Sequence, residues 1–330
     1  MLAGSVRCRI CADFRGHGSE TLPANTIVTS SSESEDERVG DWRALYPFGS
    51  RWMDLDGSRL HFLDEGPRDA RRTLLFVHGN PTWSFHWRRL IERFRGEYRC
   101  VAPDHLGCGL SDLQQRPLRL ADHIANLRRL VEALELERVT LVAQDWGGAI
   151  GLGALLEERA RFERIVLFNT GAFRPWFIPL RIRVCRWPVV GRLAVQGGNA
   201  FSRAALRMTL SRKRRLEPAV AAGYLAPYDS WARRAAVYQF VRDIPLSPEH
   251  PTWAVLGGIE DRLRELRDLP KLLVWGERDW CFTTECLDRF VEDWPEAEVL
   301  RLADVGHWVV EDAPEDAERA LERFLSQQHA

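Results

Sequence analysis

Five side chains carry the chemistry open to this 330-residue sequence: Asp145, His307, Asp279, Asn80 and Trp146. A carboxylate such as Asp145 can attack an sp³ carbon and displace a leaving group in line, leaving an alkyl ester on the protein. A histidine polarised by a second carboxylate can then activate water against that ester. His307 suits the base, and Asp279 suits the group that holds its tautomer and stabilises the imidazolium. Taken alone, Asp145 reads as a helix N-cap. With Asp279 and His307 following it in chain order at the ends of two further strands, it reads as a nucleophile. Glu277 is a rival for the acid, and strand-end register favours Asp279. A departing anion also needs donors in a dry site. The indole N–H of Trp146 is a donor with no lone pair, and Asn80 offers a carboxamide N–H₂. The backbone amides of the same two residues can serve the ester step as an oxyanion hole. Singly, Trp146 would read as core and Asn80 as a turn residue before Pro81.

The element that must position Asp145 is Val139-Thr-Leu-Val-Ala-Gln-Asp-Trp-Gly-Gly148. Its first residues form a buried strand without charge. A turn leads straight into a helix of small residues from Gly147 to Leu156, so Asp145 is pushed out at a sheet's carboxyl edge above helix amides. Two short strands at Arg51–Asp56 and Arg59–Asp64 come before it, then buried strands at Thr73–His78 and Cys100–Asp104. Residues Trp83–Phe94 have helical spacing, and Leu120–Leu136 is an amphipathic helix. Strands at Arg164–Asn169, Lys271–Trp275 and Glu298–Leu302 and a closing helix Pro314–Gln327 follow. Alternating short buried strands and helices predict a mostly parallel, eight-stranded sheet covered on both faces, whose ligands bind at the strands' carboxyl ends. Between Ala172 and Leu266 clear strands vanish and prolines punctuate short helical pieces. This predicts a helical cap inserted after the sixth strand. The expected division is a disordered tail at 1–43, core at 44–171, cap at 172–266 and core again at 267–330.

Composition narrows the function classes. A net charge of −1 points to neither nucleic acid nor an anionic membrane. Positive charge is nearly all Arg, with Lys213 and Lys271 the only lysines. Seven scattered cysteines lack a framework spacing, so a reduced, cytoplasmic setting is expected. Cys8 and Cys11 form a lone pair at C-x-x-C spacing, read as chance rather than a metal or redox site, and no cofactor is expected. No apolar run is long enough for a membrane span. Ser30 to Glu37 is polar and acidic and cannot bury enough surface to fold. Cys108 reads as a packing residue, His78 as a hydrogen-bonding support for its loop, and His105 as a residue without an obvious partner.

Five segments, His78-Gly-Asn-Pro-Thr-Trp-Ser-Phe-His-Trp87, Pro103-Asp-His-Leu-Gly-Cys-Gly-Leu-Ser-Asp112, Gln144-Asp-Trp-Gly-Gly148, Trp275-Gly-Glu-Arg-Asp279 and Gly306-His307, resemble the haloalkane dehalogenases of the α/β-hydrolase fold. The likeness runs from about Tyr46 to Leu325. It implies that Asn80 and Trp146 are a halide-binding pair and that Asp279 is a late-placed acid. Asn169-Thr-Gly-Ala172 carries no acid at the position other branches use. Gly223–Trp231 and Phe240–Pro248 resemble the branch that also holds β-lactone decarboxylases of long-chain olefin synthesis, which share the same Asp, His and Asn. The expected activity is hydrolytic dehalogenation of a small apolar haloalkane, with β-lactone decarboxylation as the alternative. Epoxide hydrolysis is a third reading, because Tyr224, Tyr228 and Tyr238 fall in the cap and could protonate an opening oxygen.

Overall fold

A computed structural model describes residues 27–29, 42–213 and 215–327. The Cys8/Cys11 pair and the acidic segment from Ser30 to Glu37 lie outside the described residues. The strands are β1 (Ile27–Thr29), β2 (Ser50–Leu55), β3 (Ser58–Glu65), β4 (Thr73–Val77), β5 (Arg99–Pro103), β6 (Val139–Asp145), β7 (Phe162–Thr170), β8 (Lys271–Gly276) and β9 (Glu298–Leu302). They form one sheet in the order β1-β2-β3-β5-β4-β6-β7-β8-β9. The eight expected strands are all present. Ile27–Thr29, inside the stretch expected to be a tail, pairs antiparallel with β2 and extends the edge. From β5 to β9 every pairing is parallel.

Alternation along the central strands sends successive side chains to opposite faces. Leu75, Val77, Leu141, Ala143, Leu167 and Leu273 pack into one core, and Leu74, Phe76, Val142, Val166, Phe168 and Val274 into the other. Burial on both sides is what a parallel sheet demands, and it explains why these strands read as unbroken apolar runs. The flanking helices are α1 (Arg88–Phe94), α2 (Leu120–Ala133) and α3 (Trp146–Glu157). The single helix expected over Trp83–Phe94 is split, with a 3-10 turn at Ser84–Trp87 before α1. The helix expected to reach Leu136 stops at Ala133, where Glu135 and Arg138 take positive φ and turn the chain into β6.

Between β7 and β8 lie α4 (Leu180–Cys185), α5 (Val190–Gln196), α6 (Ala200–Met208), α7 (Pro218–Leu225), α8 (Ala235–Asp243) and α9 (Pro251–Arg262), with no strand among the described residues of that stretch. The chain closes with α10 (Thr284–Asp293), α11 (Val309–Asp312) and α12 (Pro314–Ser326). None of the described helices is long and apolar enough to cross a membrane.

Candidate active site

β6 passes into α3 without an intervening loop, and Asp145 sits at the joint with φ 53° and ψ −131°. This backbone conformation costs about 1–3 kcal/mol and persists only where packing enforces it. The enforcement is visible. Gly147 lies so close to the Val77 carbonyl, and Gly79 so close to the Asp145 carboxylate, that neither position has room for a Cβ. The strained joint aims the Asp145 side chain out of the sheet edge toward the β4 loop. There the Asn80 backbone N–H donates to Asp145 Oδ1 at 2.7 Å. The other oxygen, Oδ2, stands 3.6 Å from His307 Nε2.

His307 follows β9, and Asp279 follows β8. His307 Nδ1 donates to Asp279 Oδ2 at 2.6 Å. Asp279 is itself held: the Cys281 N–H donates to Oδ1 at 2.7 Å and Asn169 Nδ2 to Oδ2 at 3.0 Å. Glu277, the rival acid, reaches Arg301 instead. Burial opposes charge on the His307 imidazole, but the Asp279 and Asp145 carboxylates outweigh it and push its pKa up to about 10. The two carboxylates thus favour the cationic form of the resting imidazole.

Asn80, Asp145, Trp146 and His307 all line one cavity of about 350 Å³, while Asp279 stands behind His307 and does not. The walls are mostly apolar and come largely from the segment between β7 and β8, with Phe173, Ile182, Phe201, Val241 and Leu256 among them. Such a volume suits a small organic molecule or an alkyl chain. The Asn80 carboxamide is tied to this layer, since Nδ2 donates to the Val237 carbonyl at 3.2 Å. The opposite amide orientation would set two acceptors against each other, so the assignment follows from the network. One N–H of Asn80 remains for a ligand.

The three tyrosines considered for an epoxide reaction are elsewhere, and none lines the cavity. Tyr224 Oη lies 2.7 Å from both Glu311 Oε1 and His86 Nδ1, Tyr228 Oη donates to the Thr82 carbonyl at 3.1 Å, and Tyr238 Oη donates to the Trp187 carbonyl at 3.4 Å. His105 does have a partner: its Nε2 lies 2.9 Å from the His78 carbonyl, and its own N–H donates to His78 Nε2 at 3.0 Å. Together they brace the loop that carries Asn80. Cys108 is buried, and burial pushes its thiol up to about 12.

The sequence reading missed a second set of supports. Gln144, one residue before the elbow, faces away from Asp145. Its Nε2 donates to the His307 carbonyl and its Oε1 accepts from His86 Nε2. His86 is kept neutral by burial and lies 2.7 Å from Tyr224 Oη. A polar residue closing an otherwise apolar buried strand was the available signal, both for Gln144 and for Asn169. Gln144→Leu leaves a buried N–H and carbonyl unpaired. It should cost about 1–3 kcal/mol in urea unfolding and lower turnover roughly tenfold by loosening His307. Unchanged stability and turnover would show the bridge to be idle.

Comparison with known proteins places these features in a family. Residues 72–314 match the α/β hydrolase fold family. The chain is 35% identical over 292 residues to a cis-3-alkyl-4-alkyloxetan-2-one decarboxylase of Shewanella oneidensis, covering 86% of this chain and 90% of that one. It is 33% identical to haloalkane dehalogenase 2 of Mycobacterium tuberculosis, covering 85% and 96%. Among solved structures, the haloalkane dehalogenase DbeA of Bradyrhizobium elkani superposes with a TM-score of 0.77 at 26% identity, covering 84% of this chain and 98% of the other. The chain is thus an enzyme of the α/β-hydrolase fold and belongs to its haloalkane dehalogenase family, among whose relatives the oxetanone decarboxylase also falls.

Proposed function

We propose that Asp145 is the nucleophile of a decarboxylase acting on oxetan-2-ones that carry alkyl chains at C3 and C4. The observation that carries this reading is the disposition of the elbow carboxylate. Oδ1 is held by the Asn80 N–H, and Oδ2 stands 3.6 Å from His307 Nε2 at a cavity of about 350 Å³ with mostly apolar walls. Oδ2 attacks the ring's sp³ C4, and the C4–O bond breaks with its electron pair leaving as the substrate's own carboxylate. The Trp146 indole N–H and the spare Asn80 N–H receive that anion. The C3–CO₂⁻ bond then breaks, its pair becomes the C3=C4 double bond, and Asp145 departs from C4 as a carboxylate. Attack inverts C4 and elimination is anti, so a cis lactone gives a cis olefin and CO₂. No water is consumed. His307 acts throughout as the cation that steadies Asp145 as it leaves, a role matched to its raised pKa. Its neutral form is never required. The identity to the Shewanella oneidensis decarboxylase supports the same substrate class.

Hydrolytic dehalogenation is the second reading, favoured by the same pair of donors, Trp146 and Asn80, on the cavity wall. In that cycle the alkyl ester is hydrolysed by water, and His307 must lose its proton. Esterification removes the Asp145 charge that helps hold the proton in place, so the imidazole becomes the base only after alkylation.

A single experiment separates them. Purified protein is given a cis-dialkyl oxetanone or 1-bromobutane in ¹⁸O-water, and the peptide containing Asp145 is weighed after turnover. Decarboxylation should yield olefin by gas chromatography with no label in Asp145. Dehalogenation should release bromide and place ¹⁸O in the Asp145 carboxylate. A β-hydroxy acid as the lactone product, or no olefin at all, would overturn the first reading.

A further inference from the structure

We propose that the outer face of α4 and α5 docks on an anionic lipid surface, beside the mouth of the cavity. Two observations converge there. The first is apolar exposure. Phe177, Leu180, Trp187, Val189, Val190 and Leu193 all stand out in water, with Leu180 74% and Val189 69% exposed. Val189, Val190 and Leu193 share one side of α5 at three- and four-residue spacing, and α4 packs against α5. Scattered exposed apolar residues are ordinary, but a contiguous set of large ones marks a contact surface.

The second observation is charge. Between Glu163 and Glu217 the sequence holds no Asp or Glu, while Arg recurs throughout. Arg181, Arg183, Arg192, Arg203 and Arg207 are exposed on this segment. None of them forms an ion pair among the described residues. Arg181 stacks on Trp280 and Arg192 on Trp231, and Arg203 donates to the Gly198 carbonyl. Elsewhere on the surface Arg is routinely paired with a carboxylate, as in Arg212 with Asp304 or Arg264 with Asp293. A face that is apolar at its centre, carries Trp, and has arginines free of carboxylates fits the interfacial zone of a bilayer bearing anionic headgroups. Because no described helix can span a membrane, such contact would be peripheral.

The face is continuous with the candidate active site. Trp176, Phe177 and Arg181 line the cavity, and Trp176 and Phe177 are also exposed, so they border its mouth. A water-insoluble alkyl substrate dissolved in lipid would enter beside them without crossing bulk water. This delivery role rests on the proposed substrate class, whereas lipid docking itself does not.

The test is co-sedimentation of the full chain with sucrose-loaded vesicles of phosphatidylcholine alone and of equimolar phosphatidylcholine and phosphatidylglycerol. The anionic vesicles should bind at least ~10-fold more tightly, and the difference should shrink in ~0.5 M salt as screening sets in. Leu193→Glu and Val189→Glu, which do not line the cavity, should each weaken binding by ~10-fold or more while leaving turnover of a short-chain, water-soluble substrate unchanged. Equal binding to both vesicles, no binding to the anionic ones, or wild-type binding by Leu193→Glu would overturn the proposal. So would light scattering that shows a dimer converted to monomer by Leu193→Glu, since the face would then be occupied by a second copy. Vesicle binding is read without turnover, so an error in the assigned reaction leaves this result standing.

Discussion

Asp145→Asn should lower turnover on the order of 10⁴-fold or more, the scale seen when a covalent nucleophile is removed, while the protein remains folded. Asn is the closest isostere, and it tolerates positive φ better than most residues, which matters at φ 53°. Near-ultraviolet circular dichroism should therefore match the wild type. The same substitution has an electrostatic consequence that activity alone cannot report. Asp145 is one of the two carboxylates that hold His307 charged against its burial. Neutralising it should drop the His307 pKa from about 10 toward its ordinary value, and histidine NMR titration will show this. The sign for stability follows. His307 is raised in the folded state, so its contribution is fully present below the unfolded pKa near 6.5 and is lost as pH rises through about 10. The substituted protein should lose less stability than the wild type over that window. Retained turnover would dismiss the nucleophile, and an unmoved His307 pKa would dismiss the electrostatic account.

The sheet, its strands and the meeting of Asp145, His307 and Asn80 were legible because each rests on local signals. Buried parallel strands such as Leu141–Ala143 declare themselves by continuous apolar character, and chain order at strand ends puts polar residues at one edge. The supports behind them were less visible. Gln144 and Asn169 matter through partners 163 and 110 residues away in sequence, and a spacing pattern does not encode where such a side chain will point. The stretch from Ala172 to Leu266 was readable as helical and proline-broken, yet its decisive features are matters of packing. Counting tyrosines left an epoxide reaction open. Their positions, each bonded outside the cavity, leave it without a tyrosine to protonate an opening oxygen. The strand at Ile27–Thr29 was missed for a related reason. A three-residue strand gains its stability from pairing with β2 rather than from its own composition.

His307→Ala should separate the two chemistries that share Asp145. With a bromoalkane the first step needs only the carboxylate and the anion donors, so bromide should be released once per enzyme. Without an imidazole to take a proton from water the ester should then persist, with the overall rate down by about 10²–10⁴-fold. Intact-protein mass spectrometry should find the alkyl group in place of a proton, and peptide mapping should locate it at Asp145. With a cis-dialkyl oxetanone the outcome differs. The ring-opened ester carries its own driving group, the C3 carboxylate, and its loss as CO₂ expels Asp145 without any base. Olefin should therefore continue to form, more slowly, because the cation that steadied Asp145 is gone. Weak imidazole rescue in the buffer should restore the bromoalkane cycle far more than the lactone cycle. Should neither substrate leave an adduct or product, the ester step itself is wrong. Should the lactone adduct accumulate as the bromoalkane adduct does, decarboxylation requires His307 as a base, and the charged role assigned to it here fails.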